Sequence, residues 1–297
     1  MDVFVTGATG HIGSAVVAEL LDAGHRVTGL ARSDEGAAAL TAKGATPYRG
    51  DLDDLDGLRA ATAASDGVIH LAFKHDFSDF AGVAETDLRA VEAMGEALVG
   101  SDRPFVVTSG TLLLALIGQG GVGTEHDTLP AGPRIDSENA AIALAERGVR
   151  SSVIRLSPLV HSNLDHHGFA HHLINTARDT GVSAYIGDGT NRWPAIHTLD
   201  AACMYRLALE NAPAGTRLHG VADEGVPFRD IAGVIGRHLN VPTVSISSEE
   251  AGHFGFLAPF APLDNPTSNA LTQKVLDWHP ERPGLIEDLD AGHYFGE

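Results

Sequence analysis

Lysine is scarce in this chain: only Lys43, Lys74 and Lys274 occur among 297 residues, and the formal net charge is −19 at pH 7. That balance excludes nucleic acid as a partner, because neutralising phosphates takes clustered Lys and Arg that release counterions. Cysteine is scarcer still. Cys203 stands alone in the apolar helical run DAACMYRLALE, which rules out a disulfide framework within the chain and suits a reducing compartment. No uncharged apolar run reaches the roughly 18 residues of a membrane span. The opening MDVFVTGATG enters a strand without the basic and apolar regions of a leader. The expectation is a soluble, cytoplasmic monomer or homodimer that meets neither membrane nor nucleic acid. With 43% hydrophobic residues, the length suits one large domain or a nucleotide-binding domain with a smaller cap.

What is present is an alternation. Short apolar runs DVFV (2–5), HRVTGL (25–30), ATPYR (45–49), GVIHLA (67–72), PFVVTS (104–109) and SSVIRL (151–156) are separated by helical patterns such as HIGSAVVAELLDAG and DSENAAIALAERG. Strands buried on both faces with crossover helices predict an α/β fold, a doubly wound parallel sheet of the Rossmann type. Residues 1–156 would form the dinucleotide-binding domain. Residues 157–297, where the pattern loosens, would form mainly the substrate-binding cap, with the chain free to return to the sheet later.

TGATGHIG places Gly7, Gly10 and Gly13 at three-residue intervals between the first strand and first helix, with Thr9, His11 and Ile12 in the same turn. Glycine permits a tight turn and close backbone approach to a pyrophosphate, which the helix N-terminus attracts through its unpaired N–H groups. The second strand ends in GLARSDEG, so Arg32 and Ser33 stand where an NAD enzyme would place an acid, which predicts NADP(H) as cofactor. Asp34 and Glu35 follow closely and keep NAD(H) open, although Asp34 also suits a helix cap. Asp51 and Leu52, after the third strand, are candidates for the adenine edge, and Leu71, Ala72 and Phe73 close the fourth strand at the cofactor end.

With TGATGHIG, GDL (50–52), HLA (70–72), VTSGT (107–111), TEHDTLP (124–130) and GDGTNRWPAIHTLDAA (187–202), nearly the whole chain resembles the extended short-chain dehydrogenase/reductases. The resemblance implies a Rossmann domain, a small substrate domain, a nicotinamide cofactor near Thr108 and a Pro158, Leu159, Val160 segment whose backbone meets the nicotinamide. It also implies a Tyr-x-x-x-Lys pair at the helix after the fifth strand, and here the chain departs. GPRIDSE (132–138) puts Arg134 at the Tyr position and Glu138 at the Lys position, and no other tyrosine restores the motif. Two readings of the pair stand: a helix-surface Arg–Glu pair four residues apart, or a site in which Glu138 accepts from the nicotinamide ribose and Arg134 orients Glu138 or a substrate oxygen. Arginine holds its proton too firmly to act as an acid near neutral pH. The family's carbonyl-polarising hydroxyl falls at Gly110, which leaves Ser109 and Thr111 as neighbouring candidates.

Lys74 and His75 after the fourth strand, His161 after SPLV, and Trp193, Phe254 and Phe256 in the cap are the candidate substrate contacts. The Gly- and Pro-punctuated stretch at 252–262 reads as an aromatic lid. Sixteen histidines invite a metal, but no spacing completes a ligand set, so none is expected. The chain is thus read as an NADPH-dependent oxidoreductase that reduces a ketone on an apolar or aromatic molecule. It is similar to ketoreductases that tailor aromatic polyketide antibiotics, and the proton would come from water or from an acidic hydroxyl of the substrate. The alternatives are a nucleotide-sugar epimerase or dehydratase, and a non-catalytic NADP(H)-sensing regulator.

Overall fold

A computed structural model describes residues 1–74, 79–116 and 121–296. The first half alternates strand and helix, with two helices between β5 and β6: β1 (Asp2–Thr6), α1 (His11–Asp22), β2 (Arg26–Ala31), α2 (Asp34–Ala42), β3 (Thr46–Arg49), α3 (Leu55–Ala63), β4 (Gly67–His70), α4 (Phe80–Glu96), β5 (Pro104–Gly110), α5 (Leu112–Leu116), α6 (Ile135–Ala143) and β6 (Arg150–Leu156). Then come β7 (Leu159–His161), α7 (Phe169–Thr180), β8 (Ser183–Ile186), β9 (Arg192–His197), α8 (Thr198–Asn211), β10 (Thr216–Gly220), β11 (Asp223–Pro227), α9 (Phe228–Leu239), β12 (Thr243–Ile246), α10 (Ala270–Leu276) and α11 (Leu285–Asp290).

Seven strands form one parallel sheet in the order β10-β6-β5-β4-β1-β2-β3. The central strands β1, β4 and β5 are buried on both faces because helices cover both, which is why they read as largely apolar runs, while the edge strand β3 stays partly exposed. The order reverses between β1 and β4, and the crevice outside their carboxyl ends is where such sheets bind ligands. The chain comes back to this sheet after β9: α8 packs beside α1, and β10 adds the seventh strand next to β6, from Thr216 opposite Ser152 to Gly220 opposite Leu156.

The second unit holds a three-stranded sheet, β11-β9-β7, and the parallel pair β12 and β8. Its core gathers Trp193, Phe228, Phe254, Leu257 and Ile231 with Leu285 of α11. This corrects the reading of Trp193 and Phe254 as substrate contacts: both are wholly buried, each edge-on to Phe228 at centroid distances of 5.1 and 5.6 Å. Phe256 is half-buried and packs edge-on to Phe169 at 5.7 Å. The expected lid at 252–262 is corrected with them, because a segment that inserts Phe254, Leu257 and Ala261 into the core is not free to swing.

Truncating a fully buried aromatic removes its transfer free energy and leaves a cavity, together about 3–5 kcal/mol. Trp193→Ala should therefore lower the free energy of urea-induced unfolding by about that amount. A variant with a wild-type midpoint would put Trp193 back on a ligand-facing surface.

Candidate active site

At the β1–α1 turn Gly7 takes φ +69°, and a side chain there would place its Cβ 2.7 Å from the Ala72 backbone nitrogen. At Gly13 an added Cβ would lie 2.0 Å from the Gly7 carbonyl oxygen. Only glycine at both positions lets the turn press against the exit of β4. Gly10 caps α1 with no side chain, so the first-turn N–H groups stay available to an anion. Thr9 and Gly10 are exposed beside them, while Ile12 leans on the core. His11 is turned away from this surface toward α8: its Nε2 is 2.7 Å from Thr198 Oγ1, and its Nδ1 is 3.5 Å from Asp165. Burial lowers its pKa against the pull of Asp165.

At the far end of the crevice Arg32 is exposed and has no ion pair among the described residues, while Asp34 lies 3.3 Å from Arg49. Ser33 caps α2 by accepting from Gly36 N at 3.1 Å. Asp51 accepts from the backbone of Asp53 and Asp54 at 2.8 and 3.2 Å, with Leu52 buried beneath. Lys74, expected on the substrate side, is drawn instead to this end by Asp53, 2.7 Å away. His75 lies outside the described residues.

The start of α6 corrects the Arg134–Glu138 surface pair and the ribose role of Glu138, because the two side chains do not meet. Glu138 is buried, and its Oε1 accepts from Arg155 Nη2 at 2.6 Å and Arg217 Nε at 2.7 Å, while Oε2 accepts from Arg155 Nε at 3.0 Å. Burial works to raise its pKa, but the two arginines hold it below the ordinary value. A carboxylate so engaged faces the β6–β10 edge and is not free for a ribose. Arg134 is the N-cap of α6 at φ +65°, in the left-handed region that costs a non-glycine residue about 1–2 kcal/mol. Its guanidinium donates to the Thr108 carbonyl at 2.7 Å and stacks 4.0 Å from the centroid of the Phe73 ring. The arginine thus stands at the carboxyl ends of β4 and β5, inside the crevice.

The hydroxyl candidates are turned inward. Thr108 donates to His70 O and meets Tyr205 OH, each at 2.7 Å. Ser109 is buried beside the Glu138 carboxylate, and Thr111 is fully buried, accepting from Asn265 at 3.1 Å. These burials correct the carbonyl-contact reading of Ser109 and Thr111. Pro158 is half-buried, and the side chains of Leu159 and Val160 fill the cores, so their backbone alone is left to line a cleft. His161 is likewise corrected from a substrate contact: it is fully buried, with Nδ1 2.8 Å from Asp288. None of the four tyrosines stands near Arg134 as an exposed acid. Burial pushes the Tyr205 and Tyr294 hydroxyls well above their usual range, Tyr48 packs on Phe4, and Tyr185 lies on β8.

Sequence reasoning missed the support beneath Arg134. Asp87 of α4 is buried with Oδ1 3.2 Å from His70 Nε2 and 3.9 Å from Arg134 Nη1. His70 Nδ1 meets Thr6 Oγ1 at 2.7 Å, and that oxygen accepts from Ala72 N at 3.2 Å. The signal was present: Asp87 sits on the apolar stripe Val83, Ala90, Val91 and Met94 of α4, where a lone acid demands a buried partner. Among the described residues no group of three or more His, Cys, Asp or Glu is placed to hold a metal ion, and no helix is long and apolar enough to cross a membrane.

The sequence pattern of the NAD dependent epimerase/dehydratase family matches residues 3–130. An uncharacterised protein of Schizosaccharomyces pombe is 50% identical over 296 residues, 99% of this chain and 100% of its own length. One from Saccharomyces cerevisiae is 45% identical over 299 residues, 99% of each. A 2-alkyl-3-oxoalkanoate reductase of Stenotrophomonas maltophilia is 27% identical across 86% of this chain and 81% of its own. Among solved structures, MoeE5 in complex with UDP-glucose and NAD superposes with a TM-score of 0.75 at 23% identity, covering 99% of this chain and 97% of that one. At that identity the likeness is one of fold.

The Glu138 network includes a titrating neighbour. His219 donates from Nδ1 to Ser268 O at 2.8 Å and presents Nε2 to Arg155 at 3.4 Å. Burial drives its pKa from 6.5 down to about 4. It stays neutral in the folded protein, whereas the unfolded chain takes up a proton below about 6.5, so stability is full above that pH and falls as pH drops toward 4. One such group accounts for about 3 kcal/mol across the window. In urea titrations between pH 7 and 4.5, His219→Gln should show a shallower loss of stability than the wild type, with His11, His197 and His253, which burial also lowers, contributing to what remains. Parallel slopes would mean that His219 is not the group that titrates.

Proposed function

We propose, from the match of residues 3–130 to the NAD dependent epimerase/dehydratase family, that the chain is an NADP(H)-dependent ketoreductase in which Arg134 serves the substrate carbonyl in place of a tyrosine. The family match and the fold support an oxidoreductase with a nicotinamide dinucleotide. The glycine cradle would hold the pyrophosphate against the first turn of α1, with Asp51 and Leu52 near the adenine and Ala72, Phe73 and the backbone of 158–160 toward the nicotinamide. Arg32, exposed and unpaired among the described residues, fits a 2′-phosphate. When bound in its reduced form, this cofactor supplies hydride to a carbonyl carbon.

The observation that carries the reading is Arg134 itself. It is held in a strained left-handed conformation, bonded to the Thr108 carbonyl and stacked on Phe73, with N–H groups left over among the described residues. Strain kept at a crevice is a mark of function. A fixed cation in a partly dry site stabilises the oxygen that gains charge as a carbonyl accepts hydride. Arg134 does not release its proton, so the proton comes from water or from an acidic hydroxyl beside the ketone, as in a phenolic, polyketide-like substrate. The name of the Stenotrophomonas relative, a reductase of a ketone, supports the direction of the reaction. The family's description also covers epimerases and dehydratases, whose chemistry begins by taking a proton from a sugar hydroxyl. A permanently protonated Arg134 is ill suited to that step.

Following reduced-nicotinamide absorbance with a panel of quinones and aryl ketones tests the reaction class: steady consumption is expected, and none with any ketone removes the reductase. With the best ketone, Arg134→Ala should lower kcat about 100-fold or more, the usual cost of a lost oxyanion donor, with a smaller change in KM. Near-normal kinetics would exclude Arg134 from the chemistry. Arg32→Ala should erase a preference for NADPH over NADH worth about 1.5–3 kcal/mol, measured as the ratio of dissociation constants. Equal binding of both cofactors by the wild type would overturn the NADP assignment.

A further inference from the structure

Arg134 is not an unbalanced cation. Among the described residues the carboxylate paired with it is Asp87, buried to 1% exposure, with Oδ1 3.9 Å from Arg134 Nη1. The partners of Asp87 can be followed link by link. Thr6 Oγ1 accepts from Ala72 N and lies 2.7 Å from His70 Nδ1, and His70 Nε2 lies 3.2 Å from Asp87 Oδ1. Ser137, in the first turn of α6, lies beside the carboxylate. Among the described residues Arg134 is the one arginine or lysine paired with this buried anion. A carboxylate with so little exposure is tolerated only when it is paired.

We infer that Asp87, oriented by His70, is a specificity-determining residue that cancels the charge of Arg134, so that the crevice accepts neutral ketones and disfavours substrates carrying a carboxylate beside the carbonyl. The inference rests on the placing of Arg134 at the substrate carbonyl proposed above. An isolated buried guanidinium recruits carboxylates strongly, often through two parallel bonds. With Asp87 behind it, Arg134 keeps its N–H donors and their direction but offers no net charge to an incoming anion. It still serves a carbonyl oxygen, whose charge develops only during reaction. A keto acid, the kind of substrate named for the Stenotrophomonas relative, would bring a charge that Asp87 opposes.

The test uses two probes of equal shape, benzoate and benzamide, titrated calorimetrically into the full chain with NADP+ present. The wild type should bind benzoate no more tightly than benzamide, including the case in which neither saturates. Asp87→Asn keeps the shape and removes the charge, and it should shift the preference at least tenfold toward benzoate. Adding Arg134→Gln to Asp87→Asn should abolish that gain. An unchanged preference in Asp87→Asn overturns the inference, as does a wild type that already favours benzoate tenfold. If the gain appears and survives Arg134→Gln, Arg134 is not the anchor and the proposed function fails with it. If there is no gain while Arg134→Ala still loses ketone turnover, only the charge balance fails. Should Asp87→Asn not fold, Asp87→Ser, which also removes the charge, takes its place and is read by the same outcomes.

Discussion

The start of α6 depends on one buried carboxylate. Glu138 is gripped by Arg155 from β6 and Arg217 from β10, which ties the helix to the two strands at one edge of the seven-stranded sheet. A buried ion cluster of this kind adds little net stability over an apolar one of equal volume, yet losing one member costs about 3–5 kcal/mol because the others stay buried and unpaired. What the cluster supplies is position. With Glu138 fixed one turn into the helix, the N-cap has little freedom, and Arg134 is delivered over the ends of β4 and β5.

That delivery divides the charges of α6 between two faces. Glu138 turns to the β6–β10 edge, and Arg134 turns to the crevice, where Asp87 and His70 meet it from α4 and β4. The same His70 side chain reaches Thr6, and Thr6 holds the backbone of Ala72, which presses on Gly7. The glycine turn and the arginine are therefore linked through Ala72, Thr6, His70 and Asp87, by one packing contact and a run of polar contacts.

The sheet was legible in the sequence because its central parallel strands, buried on both faces, leave largely apolar runs, and the alternation with helices placed the edge strand β3 beside them. The glycine turn was legible because its spacing reflects backbone contacts that no other residue permits. The Arg134–Glu138 pair was misread for a definite reason. Four-residue spacing brings side chains together only when both residues lie within the helix, and Arg134, at φ +65°, stands just outside it. Trp193 and Phe254 were misread because their Gly- and Pro-rich surroundings say nothing of Phe228, which lies far along the chain from Trp193 and completes their core. Asp87 and Arg155 could have been found, since each interrupts an apolar stripe or strand with a charge.

The second unit is joined to the cradle by similar means. His11, in the first turn of α1, meets Thr198 at the start of α8 and faces Asp165 after β7. Ser162 bonds Thr198, Tyr294 OH donates to Asp165, and His161 is held by Asp288. With Phe254 and Leu257 locked in the core as well, a swinging aromatic cover is a poor source of selectivity for this molecule. Selectivity has to come from groups already in place at the crevice. Under the proposed function, the buried pair of Arg134 and Asp87 would respond most strongly to the charge of what enters, because a low-dielectric site magnifies any imbalance that water would have screened.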